Sequence, residues 1–342
     1  MSTLLEERPP APKTTAARPG LRGPLRVSVR QHRVALLIGA GALLAGVLVL
    51  VALRIWAGSV ADDFAATGCT LSGPDRRECF PTSRAFSDDM LFFDQVVTYG
   101  SYALQFLPAV IGAFVAGPMV ARELESGTYK LAWTQSVGPA RWLASKLLPP
   151  AAAVLLLVPV LTAVRAWATS SVPDSSPYPP TPWYEPTTFV SLGTAPAAYA
   201  LLGIAAGALV GLLVARTVPA MSVAVLALGG VFLAMNQVRD RLWPTATATE
   251  SLGGYPSIGG SWWWVDDGLV TTDGDHVSGM DCVDALQEEP RCLADLGAMG
   301  RYVDHHPGSH FWPIQLVETG IVLALTAACV LAAFTVLRRR HG

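Results

Sequence analysis

Six stretches of the chain are apolar and free of Asp, Glu, Lys and Arg, and polar, turn-rich segments separate them. A bilayer core about 30 Å thick takes roughly 20 mostly apolar helical residues to cross, and each stretch is close to that length. Transmembrane β-barrels show short alternating segments instead of continuous apolar runs. The pattern predicts an all-α membrane protein with six transmembrane helices, at about residues 34–57, 97–120, 147–166, 190–215, 217–237 and 314–337.

Composition supports this class, because 51% of the residues are hydrophobic and only 15% are charged, against about a quarter charged in soluble domains. The first apolar stretch is longer than the roughly 7–15 residues of a signal-peptide core, so we interpret it as a retained anchor. Residues 1–33 are rich in proline and arginine and poor in large apolar side chains. We expect them to form a disordered tail, since they bury too little surface to offset the entropy of ordering.

The basic residues indicate how the chain is oriented. Six spans place both termini on one side, where 15 of the 24 Lys and Arg residues fall: in residues 1–33, 121–146 and 338–342 and at Arg216. Lys and Arg are enriched in cytoplasmic loops. We therefore expect a plasma-membrane protein with cytoplasmic termini and large extracellular loops at residues 58–96 and 238–313. A basic face beside a bilayer favours membrane lipid, rather than nucleic acid, as its partner.

Four cysteines fall in the two large loops that we expect to be extracellular. Cys69 and Cys79 lie in the first, Cys282 and Cys292 lie in the second, and each pair is ten residues apart. Disulfides persist outside the cell and stabilise loops that have no core of their own. We predict one local disulfide in each loop, with free or differently paired thiols as the alternative.

The second large loop also contains aromatic and histidine residues. The tryptophans at 262–264 are typical of anchors at the membrane interface, and an aromatic cap over a substrate exit is the alternative. His305, His306 and His310 stand near Asp304, and these residue types bind metals. Adjacent histidines rarely point the same way, so we predict no metal site.

The spans contain small residues and no evident chemistry of their own. Gly203, Gly207 and Gly211 recur at every fourth position, which predicts a smooth stripe for close helix packing or a sliding seam. The chain has no G-x-x-x-x-G-K-[S/T] sequence, so it has no P-loop for ATP. The H-E-x-x-H and G-x-S-x-G hydrolase motifs are absent too. We expect neither an enzyme nor a cofactor. The apolar stretches are free of charge, and Arg54, Arg165 and Glu318 fall near the outer boundary of the spans, which disfavours an ion-coupled carrier.

The segment at residues 121–146 is the most elaborate polar stretch between two spans. Gly127 and Thr128 interrupt a charged helix, because glycine is a poor helix interior and threonine can cap a new helix. Tyr129 and Trp133 then fall four residues apart on one face. Gly138-Pro139 ends this short helix. The pattern predicts an amphipathic element between two turns, and an element that only lies in the membrane interface is the alternative.

The stretch ARELESGTYKLAWTQSVGPARWLASKLL resembles the corresponding loop of ABC-2 type ABC transporter permeases, especially actinobacterial members. The shared pattern is R-E-x-x-x-G-T…W-T-Q-S-V…R-W-L-x-x-K. It falls here on Arg122, Glu123, Gly127, Thr128, Trp133, Thr134, Gln135, Ser136, Val137, Arg141, Trp142, Leu143 and Lys146.

The resemblance implies a permease, and an exporter in particular, whose ATP hydrolysis occurs in a separate cytosolic ATP-binding subunit. A second permease copy would complete the transporter, and the 121–146 loop would carry the coupling helix. The residues that would contact the ATPase are Arg122, Glu123, Glu125, Gly127, Thr128, Tyr129, Trp133, Gln135 and Arg141.

Two other functional classes remain open from the sequence. A membrane anchor or immunity protein would bind a partner through the extracellular loops and would not transport. An intramembrane enzyme is a weaker alternative, because the spans contain no recognisable catalytic constellation.

Overall fold

The six predicted spans are confirmed as helices. The structure is a computed structural model that describes residues 22–71, 76–134, 138–170, 181–278 and 289–341. Within those ranges, six helical segments are long and apolar enough to cross a membrane: Arg33–Ala66, Arg77–Ser126, Pro139–Thr169, Ala195–Val214, Thr217–Arg241 and Gly308–Arg340. The chain is therefore a mostly helical, multi-pass membrane protein.

The helices are numbered here in chain order. They are α1 (Arg22–Gln31), α2 (Arg33–Ala66), α3 (Arg76–Val110), α4 (Gly117–Ser126), α5 (Tyr129–Thr134), α6 (Pro139–Thr169), α7 (Pro186–Phe189), α8 (Ala195–Val214), α9 (Thr217–Val238), α10 (Glu289–Asp295) and α11 (Phe311–His341). A π-helical segment, Ile111–Ala116, joins α3 to α4 without a break.

Helix α8 lies at the centre of the bundle, where it contacts α3, α4, α6, α9 and α11. Its glycine stripe explains how close these contacts are. A Cβ added at Gly207 would lie 2.5 Å from the carbonyl oxygen of Gly112, and one at Gly211 would lie 2.8 Å from that of Gly117. A Cβ at Gly203 would meet the carbonyl oxygen of Pro108. The predicted close packing is confirmed, and the facing surface is the end of α3, the π segment and the start of α4.

Pro118 accounts for the π segment. A regular α-helix would need the amide of residue 118 to donate to the carbonyl of Phe114, and proline has no N–H. The ladder shifts by one residue instead, because the Gly117 N–H donates to the Gly112 carbonyl five residues earlier. The irregularity therefore lies against the α8 glycine stripe.

A four-stranded antiparallel sheet lies between α9 and α11. Its strands are β1 (Ala246–Ser251), β2 (Trp262–Thr271), β3 (His276–Ser278) and β4 (Ala298–Pro307), in the order β1-β4-β2-β3. The segment predicted as an extracellular loop at residues 238–313 thus contains folded structure, and the class all-α applies to the membrane bundle alone. The other predicted loop, residues 58–96, contains the end of α2 and the first part of α3. Helix α2 has 34 residues and is roughly 51 Å long, so it extends beyond a bilayer core.

The expectation of a disordered tail over residues 1–33 is wrong for Arg22–Gln31, which forms α1 and packs against α6. A polar contact at the end of this helix joins it to α6, because Lys146 Nζ donates to Gln31 Oε1 at 2.8 Å. A lack of large apolar side chains was therefore a poor guide to disorder here. Residues 1–21 lie outside the described ranges.

The two ends of the bundle are built differently. The end of α4, α5, the start of α6, the α8–α9 junction and the end of α11 lie together, and we call this the loop end. Glu125 contacts Thr217 there, and Arg340 Nη1 donates to the Leu212 carbonyl at 2.8 Å. The sheet, α7 and the start of α11 lie at the opposite end, the sheet end.

Candidate functional site

The turn predicted at Gly127 is confirmed. Helix α4 ends there because Gly127 adopts a left-handed backbone conformation (φ +73°), which L side chains rarely take. Helix α5 begins two residues later, and α6 begins after Gly138, with Pro139 at its first turn. The loop end therefore presents one short helix, α5, between the Gly127 turn and the start of α6.

Glu123 fastens α4 to α6 through a nearly buried ion pair. Its Oε1 lies 2.5 Å from Lys146 Nζ, and the side chains of Lys146 and Glu123 are 6% and 18% exposed. The indole Nε1 of Trp142 donates to Glu123 Oε2 at 2.8 Å. One carboxylate thus binds two side chains that lie one turn apart on α6. These are the Glu, Trp and Lys positions of the R-E…R-W-L-x-x-K pattern.

Helix α1 joins the same cluster. Lys146 Nζ also donates to Gln31 Oε1 at 2.8 Å, and Gln31 Nε2 donates to Glu123 Oε1 at 3.3 Å. The next residue, His32, has its pKa lowered by burial and by the Lys146 ammonium, although Glu123 acts in the opposite direction. The imidazole therefore stays neutral near pH 7. We call Gln31, Glu123, Trp142 and Lys146 the loop-end network.

Glu125 binds the start of α9. Its Oε2 accepts hydrogen bonds from the Thr217 amide at 3.0 Å and from the Thr217 hydroxyl at 2.7 Å. A carboxylate at a helix N-terminus satisfies free amides and is stabilised by the helix dipole. Helix α4 is therefore linked to α6 through Glu123 and to α9 through Glu125.

Helix α5 has one face packed on the bundle and one face open. Tyr129 and Trp133 pack against the apolar core, and their rings meet edge to face with centroids 4.7 Å apart. Trp133 also meets Trp142 of α6, at 6.3 Å. On the outer side Lys130, Leu131 and Thr134 are exposed, and Leu131 keeps 66% of its surface. These three residues are not among the predicted ATPase contacts, although their spacing from Tyr129 and Trp133 places them on the opposite face of a helix.

The nine predicted ATPase-contact residues fall into three groups according to their exposure in the structure. Arg122, Glu125 and Thr128 are exposed. The partly buried ones are Glu123, Gly127, Tyr129, Trp133 and Arg141. Gln135 lies outside the described residues. The loop end brings the first eight together, but Glu123, Tyr129 and Trp133 are already engaged within the chain.

A second polar network, at the sheet end, was not predicted. Arg239 and Glu318 form a two-pronged ion pair, with Nε–Oε2 at 2.7 Å and Nη2–Oε1 at 3.0 Å, and both side chains are fully buried. The Tyr199 hydroxyl donates to Glu318 Oε1 at 2.8 Å, and the guanidinium lies over the Phe189 ring. Three spans, α8, α9 and α11, meet here together with α7. The signal in the sequence was a pair of opposite charges at matching ends of the fifth and sixth spans.

Aromatic residues attach the sheet to the bundle. The Trp263 ring of β2 stacks on Tyr184, with centroids 6.0 Å apart, and meets Trp183 edge to face. Trp183 in turn meets Phe311 at the start of α11. Of the tryptophans at 262–264, Trp264 is exposed. Trp263 therefore joins the sheet to the end of the bundle.

The histidines in and just after β4 make hydrogen bonds within the chain. His306 is fully buried; its Nε2 donates to the Asp240 carbonyl at 2.8 Å, which leaves its Nδ1 to accept from His310 at 3.0 Å. Among the residues that the structure describes, no group of three or more His, Cys, Asp or Glu side chains is placed to hold a metal ion.

One predicted disulfide is confirmed. Cys69, just after α2, is bonded to Cys79 of α3, with the two Cα atoms 5.6 Å apart. Cys292 is also disulfide-bonded, but Cys282 lies outside the described residues, so that pairing stays a prediction.

Six apolar helices and a polar loop braced against them at one end define a multi-pass membrane protein. Residues 40–239 match the family described as ABC-2 membrane transporter related. Because this match covers more than half of the chain, the protein belongs to that family, and the resemblance to ABC-2 permeases is confirmed. Searches of curated proteins and of solved structures found no match.

Proposed function

We propose that the chain is the permease subunit of an ABC exporter, driven by a separate cytosolic ATP-binding subunit that contacts the loop end. Two copies of the permease would enclose the translocation path. The family membership and the lack of a P-loop in the sequence support a separate ATPase. Export is proposed on the resemblance of residues 120–148 to ABC-2 permeases.

The observation that carries this proposal is the braced position of α5. Tyr129 and Trp133 anchor its inner face, and Gly127 sets its angle to α4. Its outer face presents Leu131 with Lys130 and Thr134 around it, which is an apolar contact with a polar rim. An exposed apolar side chain with a polar rim is typical of a surface that binds a groove on a partner protein.

The contacts of α4 supply a route for mechanical work. A force on α5 acts on α4 through the Gly127 turn, and α4 is linked to α6 by Glu123 and to α9 by Glu125. Helix α4 also continues into the π segment, which lies against the α8 glycine stripe. In this proposal, closure of the ATPase dimer displaces α5, and the spans shift together because both links are short and the one through Glu123 is nearly buried.

The loop end would then be cytoplasmic. Its charges support this, since Arg122, Lys130 and Arg141 lie in the loop and Arg338, Arg339 and Arg340 end α11. A cysteine placed at Gly138 should resist an impermeant thiol reagent added to intact cells. Labelling from outside would show that the topology is inverted and would contradict the proposed function.

The direct test is affinity purification of the full chain from its native cells, followed by assay for a soluble P-loop ATPase. Leu131→Asp should weaken capture at least tenfold, because burying a leucine is worth about 1.5–3 kcal/mol and 1.4 kcal/mol is a factor of ten. Trp133→Ala should weaken it as well, by loosening α5. Both variants should still reach the membrane.

Val218→Asp is the matched control. Val218 is 71% exposed at the loop end but lies at the start of α9, outside the 121–146 segment. Val218→Asp makes the same change from an apolar to an acidic side chain, and it should leave capture of the ATPase unchanged. Equal ATPase capture by the Leu131 variant and the parent would contradict the coupling role of α5. Recovery of a partner bound through the sheet, with no ATPase, would favour the membrane-anchor alternative.

A further inference from the structure

A cavity of about 420 Å³ opens at the sheet end, between the helices and the sheet. Its walls come from α3 (Val97), α6 (Arg165 and Thr169), the segment before α8 (Trp183 and Thr188) and the turn before β2 (Ser261). Small-ligand sites in proteins have volumes of roughly 300–1,000 Å³. The cavity lies away from the loop end and takes no part in the coupling role proposed above.

Arg165 provides a buried positive charge in the cavity wall. The residue is only 4% exposed, and its Nη2 donates to Ser101 Oγ at 2.7 Å. Its Nε is buried without a hydrogen-bond partner, and within the described ranges no carboxylate lies close enough to form an ion pair with it. A buried guanidinium without a counter-charge is costly in free energy. The wall therefore favours an anion inside the cavity.

Trp183 provides a second donor to the same space. Its indole Nε1 is buried and has no hydrogen-bond partner among the described residues. The ring itself is held by Trp263 and Phe311, so the direction of this N–H is set by packing. Two hydrogen-bond donors without an acceptor, one of them cationic, favour a ligand rich in acceptor oxygens.

The depth of Arg165 indicates where that ligand comes from. Helix α6 has 31 residues and is roughly 46 Å long, about the full thickness of a bilayer with its headgroups. Arg165 lies four residues before its end at Thr169, which is roughly 6 Å along the axis. The guanidinium thus lies at the depth of lipid phosphates. Aromatic rings at the same end, such as Trp167 beside Arg54, are typical of this layer.

We propose that this cavity binds the phosphodiester headgroup of an anionic phospholipid. The phosphate oxygens accept hydrogen bonds from Arg165 Nε and Trp183 Nε1, and the acyl chains remain in the surrounding bilayer. Thr169 and Ser261 line the same wall; the Thr169 hydroxyl donates within α6, so it can only accept from the headgroup. Asp94, a carboxylate on α3, does not compete for the guanidinium, because its Oδ1 accepts from Thr181 and it lies about two helical turns from Ser101. The bound lipid would join α3 and α6 to the sheet.

The test is retention of lipid by the full chain in nanodiscs and in detergent, measured by native mass spectrometry with phosphatidylglycerol and with phosphatidylcholine. The parent should retain about one phosphatidylglycerol per chain and prefer it at least tenfold. Arg165→Gln should lose that preference. Because Arg165→Gln also removes the contact to Ser101, Trp183→Phe is the gentler variant, and it should lower the affinity about fivefold while keeping the ring packing.

Two matched controls separate a specific site from general attraction of anionic lipid. Arg54→Gln removes a partly exposed guanidinium at the same end, and Trp264→Phe removes an indole that donates to Asp267. Both should leave the phosphatidylglycerol preference unchanged. A loss in either control equal to that in Arg165→Gln would overturn the proposal.

Two further outcomes would also overturn it. Displacement of the lipid by soluble glycerol 3-phosphate at the same concentration would assign the site to a free phosphate ester. A parent chain that binds phosphatidylglycerol and phosphatidylcholine equally would show that the cavity does not select an anionic headgroup.

Discussion

Replacing Glu123 by glutamine tests whether the loop-end network holds the coupling helix in place. The change keeps the size of the side chain and removes the charge that faces Lys146 Nζ at 2.5 Å. The Lys146 side chain is 6% exposed, so its ammonium cannot regain water without moving α1 or α6. Glu123→Gln therefore leaves a nearly buried cation without its anion.

The magnitude follows from the burial of the pair. Removing one partner of a fully buried ion pair costs about 3–5 kcal/mol. Glu123 is 18% exposed, and the Gln31 carbonyl oxygen remains as an acceptor for Lys146 at 2.8 Å, so part of the cost is recovered. We expect a loss of about 2–3 kcal/mol in the free energy of unfolding. The thermal midpoint should fall by roughly 3–4 °C, because the entropy of unfolding is about 2.1 cal/mol/K per residue and the chain has 342 residues.

A double-mutant cycle measured by thermal unfolding in detergent checks this value. Lys146→Met removes the buried charge from the other side, and the Glu123→Gln, Lys146→Met double variant should be more stable than Glu123→Gln alone. We expect a coupling energy of about 2 kcal/mol. If the two single effects add within about 0.5 kcal/mol, the pair does not brace α4 against α6, and the proposed force route through Glu123 fails.

Three other predictions test separate features. Gly127→Asn should keep ATPase stimulation near the parental rate and Gly127→Val should lower it, since a left-handed β-branched residue costs at least about 1–2 kcal/mol; equal rates would contradict the turn's role. Arg239→Met should lower the free energy of unfolding by about 3–5 kcal/mol, and adding Glu318→Met should recover most of it; a further loss on thermal unfolding would refute the pairing. Replacing both Cys69 and Cys79 by serine should lower the free energy of unfolding by about 3 kcal/mol, because the unfolded chain gains the entropy that the closed loop had removed. An unchanged unfolding midpoint would show that the helices alone hold this end.

Features that depend on local composition were predictable. The spans were found because a bilayer requires about 20 apolar residues in a row, whatever the rest of the fold does. The Gly127 turn and the start of α6 at Gly138-Pro139 followed from the backbone preferences of glycine and proline. The Cys69–Cys79 bond joins residues ten positions apart, so its two ends are close in any compact arrangement.

Features that depend on partners far away in the sequence could not be predicted. Strand β1 pairs with β4 from Ala246↔His305 to Ser251↔Gly300, so each strand is completed by residues far away in the sequence. Arg239 and Glu318 are 79 residues apart, and each looked like an ordinary charge at the edge of a span. Helix α1 looked disordered because its partners, Glu123 and Lys146, belong to other helices.

The loop end shows the division most clearly. The sequence by itself determined that residues 121–146 form a short helix between two turns, and that a family pattern of Arg, Glu, Gly, Trp and Lys lies there. Only the tertiary structure decided that Glu123 turns inward to Trp142 and Lys146 while Leu131 turns outward. A helix repeats every 3.6 residues, so spacing identifies its faces. Which face meets the bundle depends on where α1 and α6 pack, and that is set by contacts across the whole chain.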